Sequence, residues 1–520
     1  MAVDQTVQRR GRAARVAELA ARKTQDQRPV RPGMVGGRYK PLTQSEIERI
    51  HHTVLDLMEQ VGFADAISSM VALVTGKGGW VNERGRLCYP RALVEDIVAR
   101  AQRRFVMPGF LPEHDMEVGG SRVHTGTGGA APTVLDFHTG HYRDSQLMDV
   151  YDLARLVDTL DNIHFFWRPV VARDTETTLD LDLNTAYACL AGTGKHIGIS
   201  YVNGDNCRAA LAMFAVAAGG ESKYRARPFS SISCCHVVPP LRFAVESCEA
   251  LEAAARGGMC ITLLSAAQAG ATAPAALAGT IVQAVAETLA GLVFVNLIDP
   301  LCRANLGTWP FVSDLRTGAM SAGSPELALV VAGCAQMAAF YDLPGSVAAG
   351  MTDSKLPDAQ SGAEKAYTLA LAANAGSTLI MESAGMHASL LGASYESYVI
   401  DNDMLGAVQR TVRGIEVTDE TLSFEVIKNV VHGEGHFLGE PQTIERMKTD
   451  YVYPGVGDRQ TTTAWAEQGA QDVRERARTH VRQVLATHYP EHLDAAVDAR
   501  IRERFNILLP REAMRPSRRW

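Results

Sequence analysis

The chain has 520 residues, 46% hydrophobic and 21% charged, with a net charge of −7. That length allows two to four domains or one large barrel with additions, and the apolar content excludes disorder over most of the chain, a collagen-like fold and a disulfide scaffold. Residues 1–40 carry ten Lys/Arg against three Asp/Glu, leaving −14 on the other 480, a body too acidic to hold nucleic acid through clustered cations.

The segment 'QRRGRAARVAELAARK' makes residues 1–40 a basic, flexible N-terminal arm; a partner-docking arm or a transit peptide are the alternatives. Nine cysteines (88, 189, 207, 234, 235, 248, 260, 302 and 334) are odd in number and contain no CxxC, so they read as small core residues in a reducing cytosol. No apolar core of a secretory signal follows the first basic residues. The most apolar stretch, 'TLAGLVFVNLI' at 288–298, is shorter than the ~18 residues of a membrane span. A cytoplasmic protein is expected.

Residues 41–160 read as an N-terminal α+β accessory region. In 'TQSEIERIHHTVLDLMEQV' (43–61), apolar residues recur at three- and four-residue steps, Thr43 or Ser45 can cap the helix and Gly62 stops it. Pro90 opens a second helix, 'PRALVEDIVARA'. Two hairpins are signalled, 'DMEVGGSRVHT' across Gly119–Gly120 and 'TVLDFHTGHYRD' across His138–Gly140.

From about residue 163 a regular pattern begins. Strand-like apolar runs start near Ile163, His196, Phe229, Met259, Leu292, Ser346 and Ser377, separated by 33, 33, 30, 33, 54 and 31 residues. Ala/Leu-rich helical stretches lie between them, so the strands are parallel and most gaps hold one βα unit. The predicted fold is therefore an α/β (β/α)8 TIM barrel over 161–440, with an open doubly wound sheet as the alternative. The candidate eighth strand is 'GHFLG' at 435–439, after a helical insertion at about 385–431. The wide gap holds a loop whose helix restarts with Ser324 as N-cap and Pro325 at the first position. Residues 441–520 read as a C-terminal helical extension.

Several familiar motifs fail. 'GTGKH' around Lys195 lacks the first Gly and the Ser/Thr of a phosphate-binding loop, and 'HTGTGGAA' fails the dinucleotide motif GxGxxG because Ala131 stands at its last position. No HExxH or Cys/His tetrad supports a zinc site. The chemistry must then come from the C-terminal strand ends. Those ends carry Trp167 and Arg168, Tyr201 and Asn203, His236, Ser265 and Gln268, and Asn296 and Asp299 with Trp309 in the loop. Asp353 and Lys355, then Glu382 and His387, then His432 and His436 complete the set. Aromatic walls with one or two carboxylates suit a methylammonium cation, and an Arg or His facing them suits a carboxylate at the ligand's other end. Each has a plainer reading: Trp167 as core packing, His387 or His436 as a hydrogen-bonded structural histidine, Lys355 as a surface ion pair with Asp353 or Asp358.

Over about residues 40–510 the sequence resembles the trimethylamine methyltransferase (MttB-like) family. The likeness rests on 'GTGGAAPTVLDFHTGHYRDS', 'DLNTAYACLAGTGKHIG', 'MSAGSPELAL', 'GMTDSKLPDAQSGAEK' and 'GEGHFLGEPQT'. It implies a barrel that moves a methyl group from an amine to Co(I) of a corrinoid held by a separate protein. The archaeal trimethylamine enzymes carry pyrrolysine, whose position is expected in 'GMTDSK' at Thr352; this chain has none. The resemblance is therefore to the pyrrolysine-lacking branch, which includes a glycine betaine:corrinoid methyltransferase. A quaternary ammonium already has a neutral amine as leaving group, which favours glycine betaine over trimethylamine as donor.

On this reading Trp167, Tyr201 and Trp309 form a cage, and Arg168 or His387 takes the substrate carboxylate. His236 and Glu382 complete the substrate site, and Asn203, Asp353 and Lys355 orient the reacting groups. No metal is expected on the chain. 'DFHTGH' at 136–141 has His141 where a corrinoid-binding DxHxxG needs Gly, so the cobalamin is assigned to the partner protein. The competing functions are a trimethylamine methyltransferase proper, a non-catalytic betaine-binding barrel, and a barrel lyase or hydrolase using His236 with Asp299. A homo-oligomer is compatible with all of them.

Overall fold

Eight parallel strands close on themselves in the computed structural model, which describes residues 28, 30–433, 435–516 and 520. They are β1 (Arg122–Thr125), β2 (Phe165–Trp167), β3 (His196–Ile199), β4 (Ser230–Cys234), β5 (Cys260–Ser265), β6 (Ala304–Thr308), β7 (Gly345–Ala348) and β8 (Leu379–Met381). Each pairs in parallel with the next from β2 to β8. The ring closes at β1, which pairs in parallel with β8 (Leu379 opposite His124) and touches β2 through a parallel bridge from Gly126 to Phe165.

A long helix lies in each strand-to-strand connection and one follows β8: α1 (Leu147–Asp158), α2 (Thr178–Gly192), α3 (Gly204–Ala218), α4 (Val245–Gly257), α5 (Leu277–Ile298), α6 (Pro325–Phe340), α7 (Ala359–Ala375) and α8 (Tyr395–Arg413); a short helix, Glu221–Ala226, follows α3. The predicted (β/α)8 barrel is the observed fold.

Strand assignment differs from expectation at three places. The barrel begins at β1, inside the region 41–160 read as accessory: 'SRVHT' is a barrel strand, and its presumed partner Met116–Gly119 pairs with Arg104–Met107 instead. The run at 292–298 is the end of α5, a 22-residue helix in which Thr280 and most residues after it are buried. A helix buried all round loses its periodicity and reads as an apolar strand. The true strand is 'ANLGT', inside the wide gap. Finally, 'GHFLG' forms no barrel strand; the chain from α8 onward is helix and turn.

Other expectations hold. Thr43 and Glu46 form a reciprocal capping box on helix Gln44–Asp56, and Ser324 accepts from the Leu327 N–H at the start of α6. The hairpin Thr133–Leu135 with Tyr142–Asp144 pairs antiparallel, placing 'DFHTGH' at its turn. Helix Val473–Thr487 packs along α8 and α1, where buried Arg155 donates to the Leu485 carbonyl at 2.6 Å. Of the arm, residues 1–27 and 29 lie outside the described residues. Helix α5 is long and apolar enough to cross a membrane, but 83% of its most apolar window is buried in the barrel wall.

Candidate active site

A cavity of about 200 Å³ opens at the C-terminal ends of the strands, and every strand except β7 sends residues to its wall. Trp167 ends β2 and Trp309 follows β6; their ring centroids are 6.4 Å apart with planes inclined at 33°. Gly198 on neighbouring β3 makes room for the first: a Cβ there would sit 2.0 Å from Trp167 Cδ1. Trp309 is pinned by its indole N–H, which donates to Ser346 Oγ at 3.2 Å. The Trp167 indole N–H has no partner. Phe311, Leu264 and Leu390 extend the apolar wall.

Besides Ser200 and Ser233, three titratable side chains face this wall. Glu382 directly follows β8 with φ +59°, a conformation non-glycine residues rarely adopt. The segment after it is clamped: the Ser383 N–H and hydroxyl both donate to the Gly126 carbonyl at 3.0 and 2.8 Å. The Gly385 N–H donates to Asp401, which is paired with Lys365 at 2.6 Å, both buried. Glu382 is itself 3% exposed, its Oε2 has no hydrogen-bond partner, and burial pushes its carboxyl up to about 8.

Arg168 is held by its backbone, which donates to the Gly198 carbonyl at 2.9 Å, while its Nε has no partner. Burial draws its guanidinium below the usual range, with the Asp182 carboxylate opposing. Cys235 is the third. Eight of the nine cysteines are buried, whereas its thiol is open to the cavity. The surrounding protein, with Glu382 adding to the effect and Arg168 opposing it, pushes that thiol up to about 11, so it stays protonated at neutral pH.

Of the ten predicted site residues, the structure thus gathers Trp167, Arg168, Trp309 and Glu382 around one cavity. The other six are placed elsewhere. Tyr201 is buried with its hydroxyl unpartnered and is not part of this wall. Asn203 is the N-cap of α3, accepting from the Asn206 N–H at 2.9 Å. His236 lies against α5, its Nε2 at 2.9 Å from the Glu287 carbonyl. His387 is bonded to Ser397 Oγ at 2.6 Å and to the Ser354 carbonyl, and burial holds it well below the usual histidine range, hence neutral.

Asp353 accepts from Ser321 Oγ, the Ala322 N–H and Ser389 Oγ at 2.6–2.7 Å, stitching loops together. Lys355 is exposed and donates to the Asp353 carbonyl. Thr352 is buried with its hydroxyl donated to Glu364. Asn296 and Asp299 sit at the end of α5 rather than of a strand.

Sequence reading missed Cys235, Ser200, Ser233 and Phe311. Only the register of the short strands, unreadable in 'SSISCCHV', distinguishes Cys235 from its buried neighbour Cys234. A larger hollow of about 370 Å³ lies under the 312–326 loop, but its charges Asp314 and Arg316 are paired with each other at 2.7 Å and it has no aromatic wall. Among the described residues, no group of three or more His, Cys, Asp or Glu is arranged to hold a metal ion.

Fold and cavity together define a (β/α)8 barrel protein with an aromatic-walled pocket at its mouth. The profile of the family described as trimethylamine methyltransferase (MTTB) matches residues 8–506. A trimethylamine methyltransferase of Desulfitobacterium hafniense (strain DSM 10664 / DCB-2) is 32% identical over 461 residues, 88% of this chain and 92% of the relative. A glycine betaine methyltransferase of Desulfitobacterium hafniense (strain Y51) is 28% identical over 90% of this chain and 97% of the relative. The crystal structure of the Methanosarcina barkeri monomethylamine methyltransferase superposes with a TM-score of 0.49 at 12% identity, over 90% of this chain and 92% of that one. The chain belongs to the trimethylamine methyltransferase family, and it is a methyltransferase.

Proposed function

We propose that this enzyme moves a methyl group from a quaternary methylamine, glycine betaine in the simplest case, to Co(I) of a corrinoid carried by a separate protein. The observation that carries the reading is the make-up of one small cavity: two tryptophan faces, a partner-free carboxyl and an under-bonded guanidinium. A betaine offers the complement, a trimethylammonium for the rings and Glu382, and a carboxylate for Arg168.

The chain's own residues bind and aim. Trp167 and Trp309 hold the ammonium so that one N-methyl points out of the barrel, and Arg168 fixes the molecule's other end. The corrinoid is the acceptor substrate, presented by its partner at the open mouth. The C–N bond breaks with its electron pair left on nitrogen, giving a neutral dimethylamino product, and the methyl bonds to cobalt, which supplies two electrons. No proton is needed. The donor's positive charge vanishes during transfer, so a strong counter-ion would stabilise the ground state and slow the step. Polarisable ring faces, and a carboxyl that ionises on donor binding only against the cost of its burial, keep that penalty small.

Trimethylamine is the second reading, favoured by one fact: at neutral pH Glu382 holds a proton that it could give to a tertiary amine, creating a neutral leaving group. Arg168 would then face no ligand group, which places betaine first. The lyase reading has less support, since His236 and Asp299 do not share the cavity.

The deciding experiment mixes the purified protein with cob(I)alamin and glycine betaine, choline, tetramethylammonium or trimethylamine, following methylcobalamin by absorbance. Betaine should react fastest. A folded protein that binds betaine yet transfers no methyl group from any of the four would be a binding barrel, and the proposal would fall.

A further inference from the structure

The glycine-rich segment 'GTGGAAP' at 126–132, which follows β1, has no part in the aromatic cage. Its two ends are firmly bonded. The Gly126 carbonyl accepts from the Ser383 N–H and hydroxyl, and the Thr127 hydroxyl donates to the Trp167 carbonyl at 2.6 Å. Beyond it, the Ala131 N–H donates to the Pro169 carbonyl at 2.8 Å and its carbonyl accepts from the Val171 N–H at 3.0 Å. Between these anchors the backbone N–H groups of Gly128, Gly129 and Ala130 have no acceptor among the described residues. All three residues line the cavity.

Folded proteins pair nearly all such donors. A run of three in a cavity wall is therefore open to whatever fills the cavity, and successive N–H groups suit an anion. The backbone is held in a costly shape to present them. Gly129 has φ +112°, and a Cβ there would lie 2.5 Å from Met386 Sδ; Ala130 has φ +50°, which alanine rarely adopts.

The neighbouring charges give the strip a direction. Gly128 lies against Glu382, whose Cγ would be 3.2 Å from a Cβ at that position. Glu382 is 3% exposed and its Oε2 has no partner, so a second anion is unwelcome at this end. The other end reaches Pro169 and so lies beside Arg168, whose Nε is also without a partner. Asp182, the carboxylate that acts on Arg168, has its Oδ2 bonded to the Val202 N–H and Asn206 Nδ2 at 2.7 and 2.9 Å. A cation is thus drawn to the Gly128 end and an anion to the Ala130 end.

We infer that the N–H groups of Gly128, Gly129 and Ala130 form a carboxylate-binding site, which takes the acid end of the donor beside Arg168. The ligand class it selects is a zwitterion with a quaternary ammonium and a carboxylate; choline and tetramethylammonium lack the group that it binds. The role in donor recognition rests on the proposed function, whereas the strip's affinity for a carboxylate does not.

The test uses the full chain. Hydrogen exchange of residues 126–131 should slow on adding acetate or glycine betaine, and not on adding tetramethylammonium. Lactic acid incorporated in place of Ala130 exchanges that N–H for an ester oxygen at nearly constant shape. Betaine should then bind on the order of tenfold more weakly and tetramethylammonium as in the parent. The melting curve should stay as in the parent, because that N–H has no partner within the protein. Unchanged betaine affinity in the ester variant overturns the inference. An equal loss for tetramethylammonium does so too, by making the strip structural, as does acetate that leaves exchange at 126–131 unaltered. A protein that transfers no methyl group from betaine yet shows protection by acetate keeps the carboxylate site while the proposed function falls. Methyl transfer from betaine without any protection at 126–131 does the reverse.

Discussion

At the scale of single residues, the proposed function makes Glu382 the group that couples donor binding to pH. Its carboxyl is pushed up to about 8 by burial, so at pH 7 it is mostly protonated. A quaternary ammonium placed against it favours the ionised form, and binding therefore expels a proton. The sign follows: below about pH 8 betaine affinity rises with pH, up to tenfold per unit, and above it the curve flattens. Calorimetry in two buffers of different ionisation enthalpy counts the proton; no release at pH 7 would remove Glu382 from the site. Glu382→Gln should abolish the pH dependence and weaken binding on the order of tenfold or more.

Trp309→Ala should likewise weaken betaine by on the order of tenfold while the fold survives, and unchanged affinity would exclude a cage role for that ring. The strand-end rule brings Trp167, Arg168, Trp309 and Glu382 to the cavity wall because Trp, Arg and Glu stand at or beside those ends. It does not bring His236 and His387 there: both are buried and bonded to a backbone carbonyl or a hydroxyl, a use the sequence does not distinguish from ligation.

At the scale of elements, the barrel was legible wherever a strand is a compact apolar run bounded by helices, as for β3, β4 and β5. It was illegible where sterics dictate small residues. 'ANLGT' looks nothing like a strand, yet Gly307 is required because a Cβ there would lie 2.5 Å from the Leu263 carbonyl and from Leu264 Cδ2. The same demand operates at Gly198 in β3, and it links element to site. Gly198→Ala must push the Trp167 indole out of its slot. The expected outcome is a stability loss of about 1–3 kcal/mol by overpacking, read from denaturant unfolding. Donor affinity should fall by a larger factor than in a stability-matched core variant, because the displaced ring is half of the cage. Equal losses in the two variants would make Trp167 plain packing.

At the scale of the whole molecule, the barrel mouth divides two kinds of surface. The mouth is assembled from loops after the strands, where neighbouring residues divide inside from outside: Leu390 lines the cavity, and Leu391 beside it is 61% exposed. On the proposed function the donor touches only the first, and an acceptor arriving over the opening meets the second. Ring closure between β1 and β8 fixes both, because Thr133 after β1 donates to the Leu391 carbonyl and ties the rim across the seam. Leu391→Asp should then raise the KM for the corrinoid protein on the order of tenfold, through loss of one apolar rim contact. The dissociation constant for betaine should not move. Steady-state kinetics with the acceptor varied, set beside betaine calorimetry on the same variant, separates these quantities. A change confined to betaine affinity would place Leu391 within the donor site.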